Sequence, residues 1–183
     1  MASSSPFRPA VSLLQQYAEY HRDRRNILTH LVGVPTIVFA VCILLTRPSV
    51  EVGALVLTPA WLVFAVTALW YLTRGHLGIG VATTATVGVL TYLAHQFSGA
   101  STTQWLAWGV GLFVVGWVMQ FVGHYYEGKK PAFADDLVGL LVGPMFVVLE
   151  ALAILGLFKG LMARIEAHAG PTQIRDLAHP APR

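Results

Sequence analysis

Apolar residues run along this chain in long stretches instead of alternating with polar ones. From about Ile27 to Thr46, Val52 to Leu72, Leu77 to Ala94 and Trp105 to Val122 the sequence is almost continuously hydrophobic. A hydrocarbon core about 30 Å thick is crossed by about 20 helical residues. Each stretch meets or nearly meets that length, so the pattern predicts four full transmembrane helices. A fifth apolar stretch, Leu137 to Phe158, contains Gly143-Pro144 and Glu150. Proline removes a bond from the helical ladder and glycine lets the chain bend. The fifth stretch therefore reads as a broken or re-entrant element. The expected fold is an all-α, polytopic transmembrane helical bundle of four spans plus this C-terminal element. Residues 1–26 form an N-terminal interfacial segment, 27–160 the bundle and 161–183 a polar tail.

The links between runs are short. Arg47-Pro48-Ser49 and Ser98-Gly99-Ala100-Ser101 are turn-like, Arg74-Gly75-His76 is tight, and the loop from Gly128 to Asp136 carries Lys129, Lys130 and Pro131. The stretch from Gly170 onward is proline-rich and polar and reads as a loose tail. Lys and Arg favour the cytoplasmic side of short loops. That rule places the N-terminal segment, the Arg74 link and the Lys129-Lys130 loop in the cytoplasm. A re-entrant fifth element keeps Lys159, Arg164 and Arg175 there too. Composition agrees: 55% of the 183 residues are hydrophobic and 11% charged, against roughly 25% charged in soluble domains. The net charge of +3 is accounted for by these loops, so no nucleic-acid partner is expected. Cys42 is the single cysteine and has no intrachain disulfide partner. The first 26 residues lack a signal-peptide pattern, so the first apolar run reads as a retained anchor.

The candidate chemistry lies in seven histidines. This topology puts His21, His30, His76 and His124 at one membrane face with Glu127. His95 falls at the other face, and His168 and His179 in the tail region. Imidazole and carboxylate together suit iron, zinc or manganese. His124 and Glu127 are three apart and share a helix face. The Glu-x-x-His order of helical metal sites is reversed here. His21 and His30, nine apart, would point in roughly opposite directions on one straight helix. Both reach one ion only if the chain bends between them, at Asp23-Arg24-Arg25-Asn26, with Asn26 as the candidate N-cap. Singly, an interfacial histidine is more often solvated than ligating. Trp70, Tyr71 and Trp105 read as ordinary interfacial belt residues, Gly33-Val34-Pro35 as a kink, and Gly109, Gly111 and Gly116 as close-packing positions. Glu150, ionisable within an apolar run, is either functional or a cap for the backbone opened at Pro144.

These residues also carry a resemblance. Tyr17-x-x-Tyr20-His21-x-x-x-x-Asn26-x-x-x-His30-x-x-Gly33-x-Pro35 resembles the opening of the membrane 2-hydroxy fatty acid dioxygenases. Gln120-Phe121-x-Gly123-His124-x-x-Glu127-x-x-x-Pro131-Ala132 is similar to that family's second signature, and Gly143-Pro144 followed by Glu150 to its closing segment. The likeness covers about residues 10 to 160. It implies an Fe(II)-dependent enzyme of lipid alpha-oxidation that uses O₂ to shorten a 2-hydroxy fatty acid by one carbon. It further implies His21, His30 and His124 as iron ligands and Glu127 as a ligand or a ligand's partner. Asn26 and Gln120 would orient ligands or bound water, with Glu150 as a further supporting residue. His76 lies outside the signatures. The acyl chain would lie among the helices with its carboxylate and 2-hydroxyl at the interface, drawn by Arg22, Arg24, Arg25 or Lys129. Composition rich in Ala, Val, Gly and Leu suits a bacterial inner membrane better than the endoplasmic reticulum. The expected partners are this substrate and membrane lipids. Two other classes compete: a small transporter or proton- or ion-conducting protein built on Glu150, Pro144 and the histidines, and a metal-free, non-catalytic scaffold. Four polar candidates at one face, and not along a path through the bilayer, favour the enzyme.

Overall fold

The computed structural model describes residues 5–53, 55–131 and 138–177. His179, residues 132–137 of the lysine loop and the end of the tail lie outside them. The order is α1 (Ala10–Ala18), α2 (Arg24–Leu44), β1 (Val50–Val52), β2 (Leu55–Leu57), α3 (Pro59–Leu72), α4 (Leu77–His95), α5 (Thr102–Glu127), α6 (Gly139–Ile154) and α7 (Lys159–Ala169). Among the described residues three helices, α2, α4 and α5, are long and apolar enough to cross a membrane. Many of their large apolar side chains, such as Leu28, Val89 and Val118, face outward, as lipid-facing residues do.

The second expected span is corrected. Its first residues form an antiparallel hairpin pairing Val50 with Leu57 and Val52 with Leu55, and α3 has only 14 residues. Valine-rich segments suit strands, Gly53 turns with φ +62°, and Pro59 opens α3 at the position where a missing N–H costs nothing. Hydropathy counted these apolar strand residues as helix.

The re-entrant element is present, but its break is not at Pro144. Helix α6 runs through Pro144, and the chain breaks at Gly156 to Phe158, with φ +83° and +53°. Helices α6 and α7 then diverge by 118°. Pro144 lies in the second turn, where only one ladder bond is lost. The contacts of α6 show its course. The Tyr71 hydroxyl, at the end of α3, donates to Leu141 O at 3.0 Å. Glu150 pairs with Arg22, just before α2, at 3.5 Å. The Phe158 ring lies against Gly78 at the start of α4. All three contacts are at one end of the bundle. Helix α6 therefore lies across that end, beneath α1, and does not traverse the bundle. Met145, Phe146 and Leu149 are wholly buried there.

Helices α2 and α5 are the most intimate pair, and glycines set their spacing. Gly109, Gly116 and Gly123, seven residues apart, are all buried on α5. A Cβ on Gly116 would lie 2.6 Å from Ile37 Cγ1 and 3.1 Å from Gly33 O. Gly111 faces open space instead, so it plays no part in close packing. At Gly123 a Cβ would collide with Thr29 Oγ1 and Asn26 Oδ1. Gly123→Ala is expected to destabilise by about 1–3 kcal/mol, as overpacking does, seen as a lower thermal midpoint in detergent. An unchanged midpoint would show that Asn26 moves aside freely.

Candidate metal centre

The site is assembled at the end of the bundle that α1 and α6 cover. Helix α1 stops at Ala18, and the chain turns through Tyr20 N→Tyr17 O (3.1 Å) and His21 N→Ala18 O (3.0 Å). Helix α2 starts at Arg24 with Asp23 as its N-cap, the carboxylate accepting from Arg25 N. The bend expected between His21 and His30 is there, but Asn26 is not the cap. It lies inside the first turn, and its side-chain amide donates to Tyr20 O (3.1 Å) and Glu127 Oε2 (3.0 Å).

His21, His30 and His124 come together, 0%, 1% and 6% exposed. One ring nitrogen from each lies within 4.8 Å of the others. The His21 ring stacks flat on Tyr17, with centroids 4.1 Å apart. Its Nδ1 donates to Tyr17 O at 2.7 Å, and His30 Nδ1 donates to Asn26 O at 2.9 Å. A carbonyl oxygen only accepts, so both protons sit on Nδ1 and both Nε2 atoms carry lone pairs. Those two atoms face each other at 3.1 Å. Two acceptors held that close repel unless a cation or proton joins them. Two nitrogens about 2 Å from a shared ion stand about 3 Å apart when they subtend near a right angle. Metal-ligating histidines ordinarily donate their other N–H to a carbonyl or carboxylate. The residues present thus fit a metal ion, by donor type and by spacing.

Glu127 lies beside the triad and is engaged elsewhere. Its oxygens accept from Arg22 N (3.0 Å to each), Asp23 N (2.8 Å) and the Asn26 amide (3.0 Å). The carboxylate clamps the His21 loop onto the end of α5. His76 lies at the same end of the bundle, as expected, but does not join the cluster. It caps α4, accepting from Ile79 N at 3.3 Å, and its ring meets Phe158. His95 packs near Trp61 at the opposite end. His168 belongs to α7, not to a tail, and pairs with Glu19 at 3.0 Å on the surface. Gln120 lines the cleft beside His30 and His124.

Four cations were expected to draw in a carboxylate, and the structure gives three of them another setting. Arg22 donates to Ala18 O, His21 O and Gly170 O and pairs with Glu150. Arg25 holds Asp23 and lies over the Tyr126 ring. Lys129 Nζ donates to Glu19 O at 2.6 Å. Arg24 is exposed.

From Gly170 to residue 177 the chain is not loose. Gln173 N donates to Arg22 O (2.9 Å) and accepts at its carbonyl from Arg24 N (2.8 Å). Arg175 N donates to Asp23 Oδ2 at 2.8 Å. This strap backs the loop bearing His21. Its proline and polar content give no sign of it, because the bonds are made by main chain.

The cleft at the triad, about 70 Å³, is walled by Tyr17, Val34, Val38, Trp117 and Pro144. An apolar cavity of about 330 Å³ between α2, α4 and α6 shares Val34, Val38 and Pro144 with it. The two lie side by side, with these three residues as their common wall.

Burial, and then the neighbouring His30 and His124, hold the His21 imidazole well below its usual pKa. The metal-free folded site thus stays unprotonated at His21 while the unfolded chain takes up a proton near pH 6.5. Stability from this group is full above that pH and is lost as the pH falls below it. Metal-free protein is expected to show a falling thermal midpoint from about pH 6.5 downward, less so in a His21→Asn variant. A midpoint equally flat in both would contradict this.

No solved structure matches the chain. A yeast protein, the 2-hydroxy-palmitic acid dioxygenase MPO1 of Saccharomyces cerevisiae, is 32% identical over 159 residues, covering 85% of this chain and 86% of its own. The family model described as 2-hydroxy-palmitic acid dioxygenase Mpo1-like matches residues 7–154, which takes in all three imidazoles, Glu127 and the whole of α6. This chain belongs to the Mpo1-like family.

Proposed function

We propose that this protein is an Fe(II)-dependent dioxygenase that shortens 2-hydroxy fatty acids by one carbon. The observation that carries this reading is His21 Nε2 and His30 Nε2 facing each other at 3.1 Å, beside His124, in a cleft next to an apolar cavity. Family membership and the substrate in the yeast relative's name support the choice of substrate. Bound by His21, His30 and His124, iron supplies a redox centre with open positions for O₂ chemistry.

The chain's own residues do the rest. Tyr17 O and Asn26 O fix the tautomer and direction of two imidazoles. Glu127 holds the His21 loop against α5. The cavity between α2, α4 and α6 takes the acyl chain, opening toward lipid, while Tyr17, Trp117 and Pro144 keep water from the triad. We place the site on the cytoplasmic side of a bacterial inner membrane. Arg22, Arg24, Arg25, Arg74, Lys129 and Lys130 gather at the histidine end, whereas the other end carries Arg47. The transporter reading is weakened because Glu150 is tied to Arg22 at that same end, not set midway along a path.

The test is purified protein with Fe(II), air and 2-hydroxypalmitic acid, read by mass spectrometry for the acid one carbon shorter. Chelation is expected to stop both product formation and oxygen uptake. No shortened product across several chain lengths, or ion flux in metal-free liposomes, would overturn the enzyme reading. Stoichiometric metal after purification excludes the metal-free scaffold.

A further inference from the structure

The cleft at the triad has a chemical mismatch with the acid it would receive. A 2-hydroxy acid brings in a carboxylate, yet no lysine or arginine is among the described residues lining the cleft. Besides His124 Nδ1, on a ring that belongs to the triad, one polar side-chain atom of the lining has no partner. Gln120 is 5% exposed, and its side-chain Nε2 is buried without a hydrogen-bond partner. It lies one helical turn before His124 on the same face of α5 and lines the cleft with His30 and His124.

An amide N–H only donates, so Nε2 cannot ligate a cation. Its natural partner is an oxygen acceptor, and a carboxylate is the strongest available. The space it occupies is provided from across the helix pair. A Cβ on Gly33 of α2 would collide with Nε2 and lie 3.1 Å from Met119 Cβ and 3.2 Å from Gly116 O. The absence of a side chain at residue 33 is what lets the amide pack against α2 in the cleft that His30 and His124 also line.

We propose that Gln120 is the substrate-binding residue that receives the carboxylate of the 2-hydroxy acid, with Gly33 making its place. This rests on the function proposed above. Recognition is then by a neutral donor beside the metal ligands, and Arg22, Arg25 and Lys129 serve structure.

The experiment compares wild type, Gln120→Leu and Gly33→Ala in nanodiscs. Metal content is measured first. Calorimetry without oxygen then follows binding of 2-hydroxypalmitic acid and of neutral 1,2-hexadecanediol. Gln120→Leu is expected to keep its metal and bind the acid about 10- to 100-fold more weakly, the size of one hydrogen bond to a charged group. Diol binding should be unchanged. Gly33→Ala should show the same acid-selective loss. An unchanged acid affinity in Gln120→Leu, or a parallel loss of diol binding or metal, would overturn the assignment. Metal-loaded wild type that binds neither ligand would instead remove the 2-hydroxy acid reading itself.

Discussion

His30→Ala is expected to leave the protein with no stoichiometric metal and no dioxygenase activity above background. His30 sits in the second turn of α2, almost wholly buried, with Nε2 3.1 Å from that of His21 and its ring 5.0 Å from that of His124. Removing it leaves two imidazoles, one of them anchored on a loop. Loss of a ligand's supporting partner alone costs about 10–100-fold in metal affinity, so loss of the ligand should exceed that. Alanine suits the helix, and the cavity it leaves lies in a bundle held by α2 against α5. Metal analysis after gel filtration, beside a thermal melt, separates an emptied site from an unfolded one. The same result is expected of His124→Ala. Full metal occupancy in both variants would show that the centre lies elsewhere.

Glu127→Ala is expected to have the second largest effect, by another route. Three buried donors, Arg22 N, Asp23 N and the Asn26 amide, would lose their acceptor. Each unsatisfied buried donor costs about 1–3 kcal/mol, so the destabilisation should exceed that of Gly123→Ala. The His21 loop would come free of α5, and metal affinity should fall by about 10–100-fold without vanishing. Glu127→Gln keeps one acceptor oxygen and should retain most of the metal. If that variant is as empty as His30→Ala, Glu127 is a ligand and not a clamp.

The parts legible in the sequence were those set by local pattern. Unbroken apolar runs mark α2, α4 and α5, because lipid asks for little else. The nine-residue spacing of His21 and His30 requires a bend, and one is found. Where the sequence misled, a partner distant in the chain decided the outcome. Asp23 and Asn26 are both good N-caps. Asn26 is drawn to Glu127, 101 residues away, and Asp23 takes the cap. His76 has the right residue type and the right end of the bundle, but its own helix start claims its lone pair. The hairpin before α3 is hidden from hydropathy, since a valine-rich strand and a lipid-facing helix read alike. Pro59 was the available signal for the true start of that helix.

The crosswise course of α6 leaves both described ends of the chain at the histidine end of the bundle: Pro6 O accepts from Trp70 Nε1, and Arg175 N donates to Asp23 Oδ2. Residues 5 and 177 are therefore expected to share a compartment. Fluorescent reporters fused at either terminus should be quenched from the same side.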